Sequence, residues 1–389
     1  MFYNIQMVGN GITPLSRSSP FREAQQAGPF SLPFLTNLRD MFNLTTSTPV
    51  APGIQRDIRN AYIEQYSFGL QRELQRNLVL DVSYIGSAGH KLPVGWNINQ
   101  AMPGAGTVAA RRPYPGWGSI SGGYVSSIGN SNFNSMAVRL ERRFDAGLSV
   151  LASYAWSKAI DMTSGVATTD DASPGSAQNA RNLRADRAVS DFNTPQRFVL
   201  SVVYKLPFEK MASNNRLVKA ALAGWQTSGI FTMQSGRPFT ILSGRDESNT
   251  DGGADRPNAI GDWRVSNPAP DHWFNPCTLL ANGTKRNCAT GDTPAWQINA
   301  VGAFGNVGRN TMRGASTINM DAGIYRQIKL VERLSAQFRA EVFNLANRAT
   351  FNLPVGSAAS AVFGQMNGAV SSGDLGAQRQ FQLALKLVF

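Results

Sequence analysis

Large apolar side chains recur at every second position of the stretch QRQFQLALKLVF, which closes the chain. They are Phe381, Leu383, Leu385, Leu387 and Phe389, with Gln380, Gln382, Ala384 and Lys386 between them. A period of two marks a strand with one greasy and one wetter face. The same period runs through earlier stretches. Tyr62, Tyr66, Phe68 and Leu70 lead through Gln75-Arg76-Asn77 into Leu78, Leu80, Val82 and Tyr84. Met136, Val138 and Leu140 alternate with Arg139, Glu141 and Arg143, and beyond the turn Asp145-Ala146-Gly147 follow Leu148, Val150, Ala152, Tyr154 and Trp156. Phe198, Leu200, Val202, Tyr204 and Leu206 precede Trp225, Phe231 and Met233. Ile318, Met320, Ala322 and Ile324 are followed, past a turn near Val331-Glu332-Arg333, by Leu334, Ala336, Phe338, Ala340 and Val342. Ser235-Gly236-Arg237-Pro238 suggests a bulge, and RLVKAALAGW before Trp225 suggests one or two helical turns.

The connections have an order of their own. Short turns follow the first member of each pair. Long loops follow the second, over Gly86–Asn132, Asp161–Pro195 and roughly Ser243–Ser316. Paired strands joined this tightly are antiparallel hairpins. A soluble protein rarely ends on a strand of large apolar groups, which would be an aggregation edge. In a membrane barrel that face meets lipid, the other lines a polar lumen, and short periplasmic turns alternate with long external loops. Tyr84, Trp156, Tyr204 and Trp225 stand near strand ends, where an aromatic girdle would lie. The expected fold is therefore all-β: an antiparallel, up-and-down transmembrane β-barrel, a partial one of about nine or ten strands. Residues 1–60 read as a loop-rich segment with Phe2–Val8 as the end of one strand, and 61–389 as barrel. The alternatives are the last strand of a soluble sandwich, or a soluble secreted β protein.

Composition changes this little. No run of 18 apolar residues supplies a transmembrane helix, which does not bear on a barrel. The net charge of +12 raises nucleic acid as a partner, but the basic residues are scattered, so no nucleic-acid binding is expected. Cys277 and Cys288 lie in one long loop. They are either a disulfide formed in an oxidising compartment or two unpaired thiols. The two histidines, His90 and His272, sit in no Cys/His cluster, so neither metal nor cofactor is expected. The start, MFYNIQMVGNG, lacks the layout of a secretory signal.

Candidate chemistry is faint. No nucleophile elbow, phosphate loop or His-Glu-x-x-His is present, and no enzyme is expected. Glu141 and Glu341 stand among Arg139, Arg143 and Arg339, and with Lys386 they read as charges lining a polar lumen. Glu247–Asp255 shares some spacing with an oxygen-rich calcium loop but has Asn258 where a bidentate Glu belongs, so a solvated turn is favoured. Asn182–Arg187 could touch ligand, and charged packing against another loop is favoured.

Five fragments together resemble a known family. NSMAVRLERRFDAGLSVLASYAWSKAID, ARNLRADRAVSDFNTPQRFVLSVVYKLPF, GWQTSGIFTMQSGRPFTI, FGNVGRNTMRG and FRAEVFNLANRATFN look like the C-terminal half of the barrel of TonB-dependent receptors, nearest the Oar-like branch that carries a carboxypeptidase-regulatory-like domain. The resemblance implies residence in the bacterial outer membrane and energy-coupled uptake of a large scarce solute. That solute would be held by external loops and released past a plug, with the TonB complex acting through N-terminal parts. An adhesive or secretion-related structural role is the alternative. The terminal strand ending on Phe389 resembles the insertion signal of outer-membrane barrels, which implies outer-membrane lipid and the barrel-assembly machinery as partners. The family implies a signal peptide, TonB box, plug and about 22 strands. Against those, the chain is expected to be a fragment not competent alone, with two unpaired edges, rather than a complete small barrel.

Overall fold

The computed structural model describes residues 53–119, 124–145, 147–164, 177–208, 218, 222–253, 255–331, 334–370 and 378–389. The strand expected at Phe2–Val8 lies outside these residues, as does most of the helical turn expected before Trp225.

Nine long strands form one meander: β1 Tyr62–Gln75, β2 Leu78–Trp96, β3 Tyr124–Asp145, β4 Leu148–Asp161, β5 Gln196–Lys205, β6 Trp225–Gln234, β7 Thr317–Val331, β8 Leu334–Phe343 and β9 Gln380–Val388. Each pairs antiparallel with its neighbours in the chain. Among the described residues no pairing joins β1 to β9, and the sheet they form is open. Two short segments flank it: Gly53–Ile54 lies parallel to the start of β3, and Ala188–Val189 pairs with the end of β4.

The turns follow from local chemistry. Asn77 closes the β1–β2 turn at φ 66, and Gly147 the β3–β4 turn at φ 87. Glycine and asparagine are the residues that enter this left-handed region at least cost. Glu73 also accepts the Asn77 N–H at 3.1 Å.

Register gathers most large apolar positions on one face, with Arg142 an exception there and Leu151 and Ile230 on the other side. Leu70, Val82, Val138, Tyr154, Phe198, Met233 and Ile318 form one cross-strand row. A second row runs from Leu78 through Arg142, Val150, Val202, Gly229, Ala322 and Val342 to Phe381. That row begins at the turn end of β2 and finishes at the loop end of β9. Such shear tilts strands in a barrel.

Among the described residues nothing packs on the apolar face. Phe68 is 65% exposed, Trp156 58% and Leu385 71%, while Leu200 and Val150 are half-buried among their neighbours. The packed core is elsewhere. Phe239, Ile241, Phe274, Ala295, Trp296, Ile298, Val307, Met312, Ala358 and Phe363 form one cluster, and none of them belongs to the nine strands. A soluble protein buries its sheet face and exposes its loops. Here the arrangement is inverted.

Two stretches expected as loop or bulge are otherwise. Gly86–Trp96 continues β2 and Tyr124–Asn132 begins β3, so the connection between them shrinks to residues 97–123. The ladder from Gly89 to Trp96 tolerates two register shifts, which is how Lys91 and Pro93 fit into a strand. Ser235–Pro238 is not a bulge. β6 ends at Gln234, Gly236 turns against the Gly314 backbone, and Pro238–Phe239 pairs with Met312–Arg313 in a separate two-stranded sheet.

Candidate functional site: the loop block above the sheet

At about 3.3 Å per residue and a tilt near 45°, a ten-residue strand rises roughly 23 Å, close to the ~25 Å apolar band of an outer-membrane barrel. β5, β6 and β8 have 10 residues each. β2 and β3 have 19 and 22 and extend well beyond that height at their loop ends. Their projecting ends are closed by Trp96 set edge-on to Tyr124, with the Trp96 indole N–H donating to Ser126 at 3.0 Å. Below them, on the apolar face, the Tyr66 and Tyr84 hydroxyls share Asn134 at 3.3 and 2.7 Å. A ring with one polar tip is the side chain suited to a lipid–water boundary.

The long loops are knitted together above the strands. Gln100 reaches the carbonyl of Gln178 at 3.0 Å and the Thr250 hydroxyl at 3.2 Å, and it accepts the Ala180 N–H at 2.7 Å. It thereby ties three separate loops. Arg112 pairs with Asp251 at 2.6 Å, and Arg111 donates to the Asn249 carbonyl at 2.7 Å. Arg256 pairs with Asp186 at 2.6 Å, both side chains 6% exposed, and its N–H groups also engage Gln178. Arg309 bridges Asp161 at the top of β4 and Asp191 in the next loop. Leu242 and Gly356 join the last two loops through their backbones. Burying charges costs several kcal/mol per ion unless they are paired, as Arg256–Asp186 and Arg309–Asp161 are. Asn182–Arg187 is thus a packing element, its Asp186 buried beneath Arg256.

A disulfide joins Cys277 to Cys288. Cys277 is fully buried, and its carbonyl accepts the N–H of Ala295 at 3.0 Å and of Trp296 at 3.3 Å. The bond therefore pins one hairpin of the block to its aromatic centre, where Phe274 meets Trp296 and Phe363 edge-on.

The carboxylates of Asp246 and Asp255 are used up locally. Asp246 accepts the N–H of Thr250 at 2.9 Å and of Asp251 at 2.6 Å, and Asp255 accepts both the N–H and the hydroxyl of Ser248. Burial pushes the Asp255 carboxyl above its usual range, against the opposing effect of the Ser248 hydrogen bonds. Among the described residues no group of His, Cys, Asp and Glu is placed to hold a metal.

The remaining sequence candidates lie on the sheet. Phe381, Leu383, Leu385, Leu387 and Phe389 sit on or just past edge strand β9, 49–90% exposed. The first four face Val342, Ala340, Phe338 and Ala336 of β8. On the opposite face Arg139 pairs with Glu141 at 2.8 Å, and Arg143 lies beside the β1–β2 turn, donating its N–H to Asn77. Arg339 stacks over Tyr325, whose hydroxyl reaches Glu341 at 3.2 Å and Ser228 at 2.8 Å. Lys386 stands opposite Gln337. The structure gathers these charges into two separate clusters on one face, not into a single site.

Sequence reasoning missed the loop block, including Arg256, Arg309 and Arg313. The one signal was compositional: Trp263, Trp273, Trp296, Phe239, Phe274 and Phe363 are many aromatics for loops.

An open, tilted meander with a bare apolar face and its core in the loops defines a β-barrel of the membrane class. The model of the outer membrane beta barrel domain family matches residues 1–382, and the chain belongs to that family. Its location is the bacterial outer membrane. Among solved structures it is similar to the outer membrane transporter YddB from Escherichia coli, at 10% identity and a TM-score of 0.43, over 85% of this chain. It spans 33% of that protein's length. No curated protein matches the chain.

Proposed function

We propose that the chain is the C-terminal part of the barrel of a TonB-dependent receptor of the Oar-like branch, serving energy-coupled uptake of a large scarce solute. The observation that carries this reading is the cross-linked loop block. A pore wall needs only short loops, whereas four long ones tied around a shared core make a rigid surface suited to holding a bulky ligand. The apolar face then meets outer-membrane lipid, and Arg139, Glu141, Arg143, Arg339, Glu341 and Lys386 line the lumen. The strand ending at Phe389 is the segment read by the barrel-assembly machinery. The TonB complex would act through a plug and a TonB box.

The coding region directly upstream tests the proposal. An in-frame plug and TonB box are expected there, and a different module without either would favour an adhesive or secretion-related role. Detergent gels give a second test: a closed barrel changes mobility on boiling, and the isolated 389-residue chain is expected not to.

A further inference from the structure

Within the loop block, Trp263, Arg264, Val265, Pro268, Trp273, Thr311 and Arg313 line a cavity of about 390 Å³. That is within the size range of small-ligand sites. Its walls are mostly apolar, and its few polar groups are largely occupied. The Trp273 indole N–H donates to the Arg313 carbonyl at 2.7 Å, and the Thr311 hydroxyl to Gly308 at 3.3 Å. Arg264 lies over one face of Trp263, 4.7 Å from the ring centre, and is paired at the rim with Asp262.

Arg313 is the exception. Its Nη1 is anchored on the carbonyls of Asn193 and Gly236 at 3.3 and 3.1 Å, which fixes the guanidinium at the junction of two loops and the end of β6. Among the described residues it has no carboxylate partner, and its remaining N–H groups have no protein acceptor. Burial alone pulls its pKa below the usual arginine value, as expected of a cation lacking a counter-charge. Elsewhere in the block Arg112, Arg256 and Arg309 pair with carboxylates, whereas Arg111 and Arg181 donate to backbone carbonyls.

We infer that this cavity binds an aromatic carboxylate, its ring against Trp263 and Trp273 and its carboxylate on Arg313. A guanidinium presents a planar fork matched to a carboxylate. The apolar lining argues against a sugar, whose several hydroxyls would each need a partner the walls do not offer. The site is independent of energy coupling. Its failure would leave the transport reading standing, and the reverse also holds.

The test uses the full chain in amphipol with two probes, 4-fluorobenzoate and the neutral 4-fluorobenzyl alcohol, followed by fluorine NMR line broadening. Saturable binding of the acid is expected, at least about tenfold tighter than the alcohol. Arg313→Gln should remove that preference, and Arg313→Lys should restore part of it. Should Arg313→Gln fail to fold, Pro268→Asp at the exposed rim should weaken the acid and spare the alcohol. Equal binding of both probes, no saturable binding of the acid, or an unchanged preference in the variant that folds would each overturn the inference.

Discussion

Leu200 and Ser201 are neighbours in the middle of β5 and differ chiefly in the face they occupy. Leu200 stands between Ala152 and Phe231 on the apolar face, and Ser201 between Leu151 and Ile230 on the other. Gln196–Lys205 rises roughly 23 Å when tilted, so both positions lie near the mid-height of an apolar band ~25 Å tall. An arginine at the lipid midplane costs about 2–4 kcal/mol, a factor of roughly 30 to 700 in the folded-to-unfolded ratio. On the lumen side the guanidinium keeps its water, and the expected cost is under about 1 kcal/mol. Urea titration of the chain reconstituted in lipid vesicles, with tryptophan emission as the readout, should therefore show a marked fall in midpoint for Leu200→Arg and little change for Ser201→Arg. Equal losses, or a larger loss for Ser201→Arg, would refute the assignment of faces for the whole sheet, because register links every strand to this pair.

Removing one member of the Arg256–Asp186 pair leaves a charge buried at 6% exposure, so Arg256→Met should destabilise the loop block by about 3–5 kcal/mol. Limited proteolysis within residues 235–316 reads this, and the double change Arg256→Met/Asp186→Leu should recover much of the loss. The Cys277–Cys288 bond closes a loop with a sequence separation of 11, which in the chain-entropy account is worth about 3 kcal/mol. Reductant should lower the thermal midpoint of the block correspondingly, and have no effect on Cys277→Ala/Cys288→Ala. The Asp255 carboxyl is raised above 3.8 in the folded state, so the fold holds its proton more tightly than the unfolded chain does. Its contribution is greatest below pH 3.8 and is lost as pH rises through the folded value. A pH series of proteolysis rates should show that dependence as pH rises above 3.8, and lose it in Asp255→Asn.

The strands were legible wherever lipid dictates every other side chain. Lipid favours apolar side chains on one face and water favours polar ones on the other, so β5, β8 and β9 could be read within a residue or two of their ends. The rule stops at the membrane boundary. Gly86–Trp96, with His90, Lys91 and Pro93, extends β2 into a region where both faces meet water or loops, and the alternation that would have revealed it is absent. The Ser235–Pro238 stretch showed a backbone irregularity but not its form, since that depends on Gly314, a distant residue. The loop core was illegible for the same reason. Phe239, Phe274, Trp296 and Phe363 meet only through tertiary contacts, and no local period connects them. Arg313 was illegible for the same reason: its place beside Trp263 and Trp273, anchored on Asn193 and Gly236, is set by residues far from it in the chain.

Among the described residues the meander has an odd number of long strands, nine, and each reverses the direction of the one before. β1 and β9 therefore point the same way. Were these two margins brought directly together they would meet head to head, with slanted hydrogen bonds unlike any other seam in the wall. A seam of the prevailing kind needs one, three or another odd number of staves between them, whichever chain supplies them.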